Sequence, residues 1–315
     1  MTPSIGAANT ANAVPFRAAA LDIGTNTVVL LVADVTPDGL VAVTGDSETT
    51  RLGSGAAADG TLAPESIERA ARAAICFVAA ARLAGAKAIY VVGTAAVRDA
   101  PNRDDLLRRM ERETGVPCRV ASGDEEAQLT FLGATNGESL LGTLAVGDIG
   151  GGSTERIVAV DGDVRQRLSL PLGSGRLTER AVKSDPPTPD EAEAALRLAR
   201  ETFAPFRPVQ ARALLLAGGT ANALARMTGT RSLDGPALDA ALARLLQQPA
   251  AALAAETGLD AARVGLLTGG IACVRALAET CGVAAATVAR GGIREGILLA
   301  AARGQLGFFA PIITR

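Results

Sequence analysis

Two short glycine-rich stretches carry the residues best suited to chemistry in this chain of 315 residues. Asp22-Ile23-Gly24-Thr25-Asn26-Thr27 returns as Asp148-Ile149-Gly150-Gly151-Gly152-Ser153-Thr154, with the two aspartates 126 residues apart (148 against 22). A turn of Gly, Thr, Ser and Asn beside a strand offers several backbone N–H groups and hydroxyls pointing one way, which suits an anion such as phosphate. Gly, Asn and Ser also make ordinary hairpin turns, so one loop alone reads equally as a turn. Three consecutive glycines cost backbone entropy, however, and close approach of a ligand is the usual reason to tolerate that. Asp22 and Asp148 each end an apolar run just before the loop, where a carboxylate needs a cation or water to meet it. Glu155 follows the second loop. The pattern therefore predicts Asp148 and Glu155 as metal or water-mediated ligands, with Asp22 as their counterpart across a cleft.

A second pair keeps the same spacing: Gly93-Thr94 and Gly219-Thr220 are again 126 residues apart. Two different motifs in one register argue for an internal duplication. Arg98, just after Gly93-Thr94, is placed to grip phosphate in bidentate fashion. Gly218-Gly219-Thr220 reads equally as a phosphate turn or as punctuation between strand and helix. Ser122-Gly123-Asp124-Glu125 has a capping-box pattern, so Glu125 at the third helical position is expected to reach back to the cap. Glu126 points about 100° around the helix from it and is left for chemistry, as a general base on water. A run of acids in a first turn also compensates the helix dipole without further function.

These residues need strands to end at the loops and helices to follow them. Ala18–Val35 and Leu40–Val43 read as a meander turned at Pro37-Asp38-Gly39. Pro64–Ala84, about Arg103–Glu113 (ended by Gly115) and Ser122–Gly133 read as helices, with strands at Ala88–Val92 and Cys118–Ala121. The second half repeats the plan, with strands Thr143–Ile149, Glu155–Val160, Val164–Leu170 and Ala213–Ala217. Its helices are expected from the Thr188-Pro189-Asp190-Glu191 cap through Phe203, after Gly218-Gly219-Thr220, and over Gly235–Leu246, Ala261–Thr280 and Ile293–Arg303. The expectation is an α/β fold with mixed sheets. Residues 1–16 read as a disordered tail, 17–137 as a first domain and 138–315 as a second, with the boundary near Asn136–Gly142. The final helix either stays with the second domain or packs back on the first.

Composition narrows the chemistry. There are 31 basic and 33 acidic residues and no histidine, with 48% hydrophobic residues. The balanced charge gives no bulk nucleic-acid surface. Without histidine, metal chemistry rests on oxygen ligands, which favours Mg²⁺ or Mn²⁺. Cys76, Cys118, Cys273 and Cys281 form no C-x-x-C pair and read as buried, reduced thiols. No apolar run reaches the roughly 18 residues of a membrane span, and the start has no signal-peptide pattern, so a cytoplasmic protein is the expectation.

The motifs together resemble the exopolyphosphatase / guanosine pentaphosphate phosphatase family, within the superfamily of actin, sugar kinases and heat-shock ATPases. The carriers are Asp22–Thr27, Val92-Gly93-Thr94-Ala95-Ala96-Val97-Arg98, Gly123-Asp124-Glu125-Glu126-Ala127, Asp148–Glu155, Arg176-Leu177-Thr178-Glu179, Gly218-Gly219-Thr220 and Gly292-Ile293-Arg294-Glu295-Gly296. The resemblance implies two ribonuclease-H-like domains around a cleft and Mg²⁺-dependent hydrolysis of a terminal phosphoanhydride. It implies Glu126 as catalytic base and Asp148 and Glu155 as metal-site carboxylates. It assigns phosphate contacts to Asn26, Arg98, Gly151, Gly152, Ser153 and Thr154, to which the turn residues Gly24, Thr25, Thr27, Gly219 and Thr220 are added. Homodimerisation is a family-level expectation. Two departures stand out. Many members carry a basic residue where this chain has Val28-Val29, and longer members add a helical domain with a His-Asp motif that this chain lacks. Inorganic polyphosphate is the expected substrate. Guanosine pentaphosphate hydrolysis and a regulator that binds the alarmone without turnover are the alternatives; the Glu-Glu-Ala placement argues against a kinase.

Overall fold

The computed structural model describes residues 16–36, 39–57, 59–137, 141–305 and 312–313. The expected tail up to residue 15, the Pro37-Asp38 part of the first turn and residues 138–140 of the expected boundary lie outside these. In chain order the elements are β1 (Phe16–Ile23), β2 (Thr27–Thr36), β3 (Gly39–Thr49), α1 (Pro64–Leu83), β4 (Ala88–Gly93), α2 (Ala95–Asp99), α3 (Arg103–Thr114), β5 (Cys118–Val120) and α4 (Gly123–Ala134). There follow β6 (Thr143–Ile149), β7 (Thr154–Val160), β8 (Asp163–Leu170), α5 (Ser174–Ala181), α6 (Pro189–Phe203), β9 (Ala213–Ala217), α7 (Gly218–Thr228), β10 (Ser232–Asp234) and α8 (Gly235–Gln247). The chain continues through α9 (Ala250–Thr257), α10 (Ala261–Gly265), α11 (Leu267–Cys281), β11 (Ala285–Val288), α12 (Ile293–Ala302) and β12 (Ile312–Ile313).

The fold is mixed α/β with two sheets, as the alternation of elements predicts. One sheet runs β12-β4-β1-β2-β3, with β5 also on β4; the other runs β10-β11-β9-β6-β7-β8. In both, three consecutive strands form an antiparallel meander whose first strand pairs in parallel with the strand that follows a helix. The registers are also repeated: Asp22 faces Val29 across β1 and β2, and Asp148 faces Glu155 across β6 and β7. The duplicated aspartates thus occupy the same place at the end of the same strand.

Two compact units result, one of residues 1–122 with 293–315 and one of 123–292. The division falls before α4, not near Asn136–Gly142. The reason is packing: Ala127 and Phe131 of α4 share an apolar cluster with Leu144, Val146, Ile157 and Ala159 of β6 and β7. The last helix joins the first unit, because α12 packs on β1, β2 and β3, and Arg294 Nη1 donates to Leu30 O at 3.3 Å. In the first unit, α1 buries Ile67, Ala70, Ala74, Phe77, Val78 and Ala81; small alanines let it lie close to the sheet. In the second, α11 is buried along most of its length and packs against α5, α6 and α7.

Several expectations shift for local reasons. The third strand continues to Thr49, well beyond Val43, because it pairs with β2 along its length. The single helix expected over Ala261–Thr280 is two: Gly265, a weak helix former, ends α10, and the Leu266 N–H turns back to Arg263 O. Cys273 and Cys281 are buried, but Cys76 is exposed on the outer side of α1 and Cys118 is half-buried, so the four thiols are not uniformly interior. No helix among the described residues is long and apolar enough to cross a membrane.

The cap of α6 is built as its sequence predicts, with Thr188 Oγ1 accepting from Glu191 N at 3.2 Å and Glu191 Oε2 accepting from Thr188 N at 2.9 Å. Thr188→Ala removes one half of this exchange and is expected to cost about 1 kcal/mol, read as a lower midpoint in chemical denaturation.

Candidate active site

In the first unit, Gly24 N donates to Thr27 O at 3.1 Å and closes the loop. A turn just after β3 backs it: Thr50 N and Arg51 N donate to Asn26 O at 2.9 and 2.8 Å, and Gly53 N donates to Thr25 O at 2.9 Å. A Cβ on Gly53 would fall 2.7 Å from Thr25 Cγ2, so only glycine permits this approach. In the second unit, Gly150 N donates to Ser153 O at 3.0 Å. Gly150 O accepts from Ser174 N (2.9 Å) and Ser174 Oγ (3.1 Å), and Gly151 O accepts from Arg176 N (3.0 Å). A Cβ on Gly173 would lie 2.3 Å from Gly150 O. In a trans peptide the C=O and the following N–H point in opposite directions. With these carbonyls held by their backing turns, the N–H groups of Asn26, Gly151 and Gly152 are aimed the other way, as an anion nest requires.

The backing turns were missed in the sequence, although a signal for them exists. Leu52-Gly53-Ser54-Gly55 and Leu172-Gly173-Ser174-Gly175 are identical tetrapeptides 120 residues apart (172 against 52). Leu52 and Leu172 are both fully buried. The changed spacing hides them, since they follow third strands of different length.

The second unit gathers three of the predicted carboxylates. Glu155 is buried, and its carboxyl is pushed up to about 8 by burial first, then by the charges of Asp148 and Glu126. Ser169 Oγ donates to Glu155 Oε1 at 2.6 Å, and Ser153 also reaches this carboxylate. Asp148 lies against the Gly218 backbone, where φ is +87° and a Cβ would fall 2.2 Å from Oδ1. Glu126 stands one residue beyond Glu125 in the first turns of α4 and is half-buried, while Asp124 is exposed. Asp22 ends β1 of the first unit, at the position corresponding to Asp148.

The other predicted residues divide. Asn26, Gly151, Gly152 and Ser153 lie on the loops as expected, with Gly24, Thr25 and Thr27 completing the first. Two hydroxyls are spent inside the protein, which corrects their reading as phosphate ligands. Thr154 is fully buried and donates to Leu172 O at 2.7 Å. Thr220 is buried with its Oγ1 3.0 Å from Ser174 Oγ. Both brace the second loop against its backing turn. Thr94 instead ties the start of the first loop to the end of β4, its N–H and hydroxyl both donating to Ile23 O. Arg98 is half-buried in α2, beside Asp99 Oδ1 at 3.3 Å and Ala121 O at 3.3 Å. Gly219 faces the guanidinium of Arg263, 3.5 Å from where a Cβ would stand. Burial lowers the pKa of Arg263. Read as one residue of a long helix, Arg263 carried no sequence signal; the break at Gly265 turns it to this strand end.

The donor set fits a hard divalent cation. Asp148 and Glu155 are oxygen donors on paired strands, and their mutual repulsion is what a cation would relieve. Among the described residues no group of three or more His, Cys, Asp or Glu side chains is arranged to hold a metal ion, so any such ion would rest on Asp148 and Glu155 alone from the protein.

The sequence pattern of the Ppx/GppA phosphatase family matches residues 31–303. The chain belongs to that family. It is 34% identical to exopolyphosphatase 2 of Mycobacterium tuberculosis, over 91% of this chain and 98% of that protein. It is 28% identical to a guanosine-5'-triphosphate,3'-diphosphate pyrophosphatase of Vibrio vulnificus, over 89% of this chain and 58% of that one. A crystal structure of an exopolyphosphatase from Cytophaga hutchinsonii superposes with a TM-score of 0.81 at 24% identity, covering 91% of this chain and 98% of that one. Within the matched region, Gly93–Arg98 and Asp148–Glu155 fall at the strand ends and loops just described.

Two outcomes follow for this Ppx/GppA site. Glu155 has a folded-state pKa above its ordinary 4.5, so its contribution to stability is fully present below about pH 4.5 and is lost as pH rises to about 8. In metal-free buffer with chelator, Glu155→Gln should therefore gain melting temperature over wild type progressively from pH 5 to pH 8. A constant difference would show the carboxylate is not strained. Gly218→Ala should displace Asp148 and lower phosphatase activity at least tenfold. Gly229→Ala, at φ +71° with nothing near its Cβ, should cost stability without that loss, as thermal melting and turnover assays would show.

Proposed function

We propose that this chain is an exopolyphosphatase that hydrolyses the terminal phosphoanhydride of inorganic polyphosphate and releases orthophosphate. The observation that carries the reading is the grouping of Glu126, Asp148 and Glu155 in one unit, beside a glycine loop whose N–H groups are turned outward. A pure binding protein needs the loop but has no use for a base. The 34% identity to an exopolyphosphatase, over nearly the whole of both chains, supports polyphosphate over the guanosine nucleotide.

In this reading the N–H groups of Gly151 and Gly152 hold oxygens of the terminal phosphoryl group. Within the first unit by itself, Asn26 and its neighbours, with Arg98, offer donors to phosphate. Asp148 and Glu155 would hold Mg²⁺, which when bound neutralises charge on the phosphate oxygens. Glu126 takes the proton of a water as the water oxygen forms a bond to the terminal phosphorus. The bridging P–O bond opposite breaks, and its electrons remain on the shortened polyphosphate as an oxyanion. Donors fixed in advance by the backing turns need no reorganisation as charge develops.

The test is phosphate release with Mg²⁺ from tripolyphosphate, long-chain polyphosphate and guanosine pentaphosphate. Release from the first two and a fall in kcat of about 10²–10⁴ in Glu126→Gln are expected. Release confined to guanosine pentaphosphate would reassign the substrate. Tight alarmone binding without release from any of the three would identify a regulator. A fully active Glu126→Gln protein would remove the base from the mechanism.

A further inference from the structure

The two loops differ in where positive charge can come from. The second has Asp148 facing Glu155, a pair fit for a metal ion; in the first, Val29 stands in the place of Glu155 opposite Asp22. The hairpin that builds the first loop carries no cation near that loop: its one basic residue, Arg17, sits at the far end of β1 and is paired with Asp34 at 2.8 Å. From residue 18 to residue 50 the chain contains Asp22, Asp34, Asp38, Asp46 and Glu48, and neither Lys nor Arg. A polyanion held at Thr25–Thr27 would have Asp22 and Glu48 as its nearest charges on this hairpin unless a basic side chain arrives from elsewhere.

Arg51 arrives there. It is the first residue of the backing turn with its side chain in solvent, and its own N–H is bonded to Asn26 O at 2.8 Å. Its backbone lies at φ +49°, a left-handed conformation that costs a non-glycine residue about 1–2 kcal/mol. Glycine or asparagine would hold this turn more cheaply. Strain of this kind persists where the surroundings over-determine it and is concentrated at ligand sites. The guanidinium is exposed, and no ion pair or side-chain hydrogen bond engages it among the described residues. Of the other cations the first unit offers this loop, Arg69 has Nε on Thr50 O at 2.9 Å and Nη2 on Ser66 Oγ at 2.8 Å, and Arg98 is half-buried beside Asp99 Oδ1 and Ala121 O, both at 3.3 Å. The corresponding position of the second unit, before the same Leu-Gly-Ser-Gly, is Pro171. The cation is therefore peculiar to the loop that has no metal-binding pair.

We infer that Arg51 is a substrate ligand of the first loop, its guanidinium gripping non-bridging oxygens of a polyphosphate phosphate held at Thr25–Thr27, and so supplying the charge that Val28-Val29 withhold. Bidentate contact with phosphate oxygens is the geometry in which arginine is strongest. The inference rests on the polyphosphate reading given above, and its test separates the two. Tripolyphosphate is titrated calorimetrically into metal-free protein, and phosphate release is measured with Mg²⁺, for wild type, Arg51→Asn and Arg51→Lys. Asparagine tolerates the left-handed backbone, so Arg51→Asn removes charge without straining the turn. It should bind tripolyphosphate at least tenfold more weakly, with a rise in KM that exceeds the fall in kcat, a shallower dependence of affinity on salt and an unlowered melting temperature. Arg51→Lys should recover part of the affinity. Wild type that binds and hydrolyses tripolyphosphate, with Arg51→Asn within twofold of it in affinity and KM, overturns this inference alone. Wild type that neither binds nor hydrolyses tripolyphosphate overturns the functional reading with it.

Discussion

The structure of the second unit depends on a repulsion it does not resolve by itself. Glu155 is buried opposite Asp148, with the charge of Glu126 also acting on it, and its carboxyl holds a proton up to about pH 8. Burying a carboxylate beside another costs free energy unless a cation or hydrogen-bond donors answer it. Ser169 and Ser153 answer in part. The β6–β7 register fixes the pair in place, and Gly218 gives Asp148 its room. In the free protein the proton on Glu155 and the two serine hydroxyls are what offset that cost.

The duplication explains how such a site arises beside a gentler one. Both units carry the meander, the loop and the Leu-Gly-Ser-Gly turn behind it. Against that shared frame, single positions decide the chemistry. Glu155 in place of Val29 sets two carboxylates opposite each other in one strand pair and a single aspartate opposite an apolar residue in the other. Before the same Leu-Gly-Ser-Gly turn, the first unit carries the exposed Arg51 and the second Pro171.

Much of this was legible in the sequence. The loops, the strands ending at Ile149 and Ala217 and the capping box at Thr188 rest on local signals, namely glycine runs, apolar alternation and Ser/Thr caps. The bracing roles of Thr154 and Thr220 were not legible, because a threonine in a glycine turn has the same local pattern whether its hydroxyl meets a ligand or a carbonyl of a distant turn. Only the long-range contacts to Leu172 and Ser174 decide it. The division between units was missed for a similar reason. Gly, Asn and Ser near residue 140 mark a loop, but the unit to which α4 belongs is set by the burial of Ala127 and Phe131 against β6 and β7.

The central claim, that the buried Asp148–Glu155 pair awaits a divalent cation, is tested most directly by calorimetric titration of Mg²⁺ at pH 7 in buffers of different ionisation enthalpy. Because Glu155 keeps its proton below about pH 8 in the free protein, the account predicts saturable binding that expels close to one proton per ion, and loss of that proton release in Glu155→Gln. Saturable binding with no proton release, or release undiminished in Glu155→Gln, would contradict it.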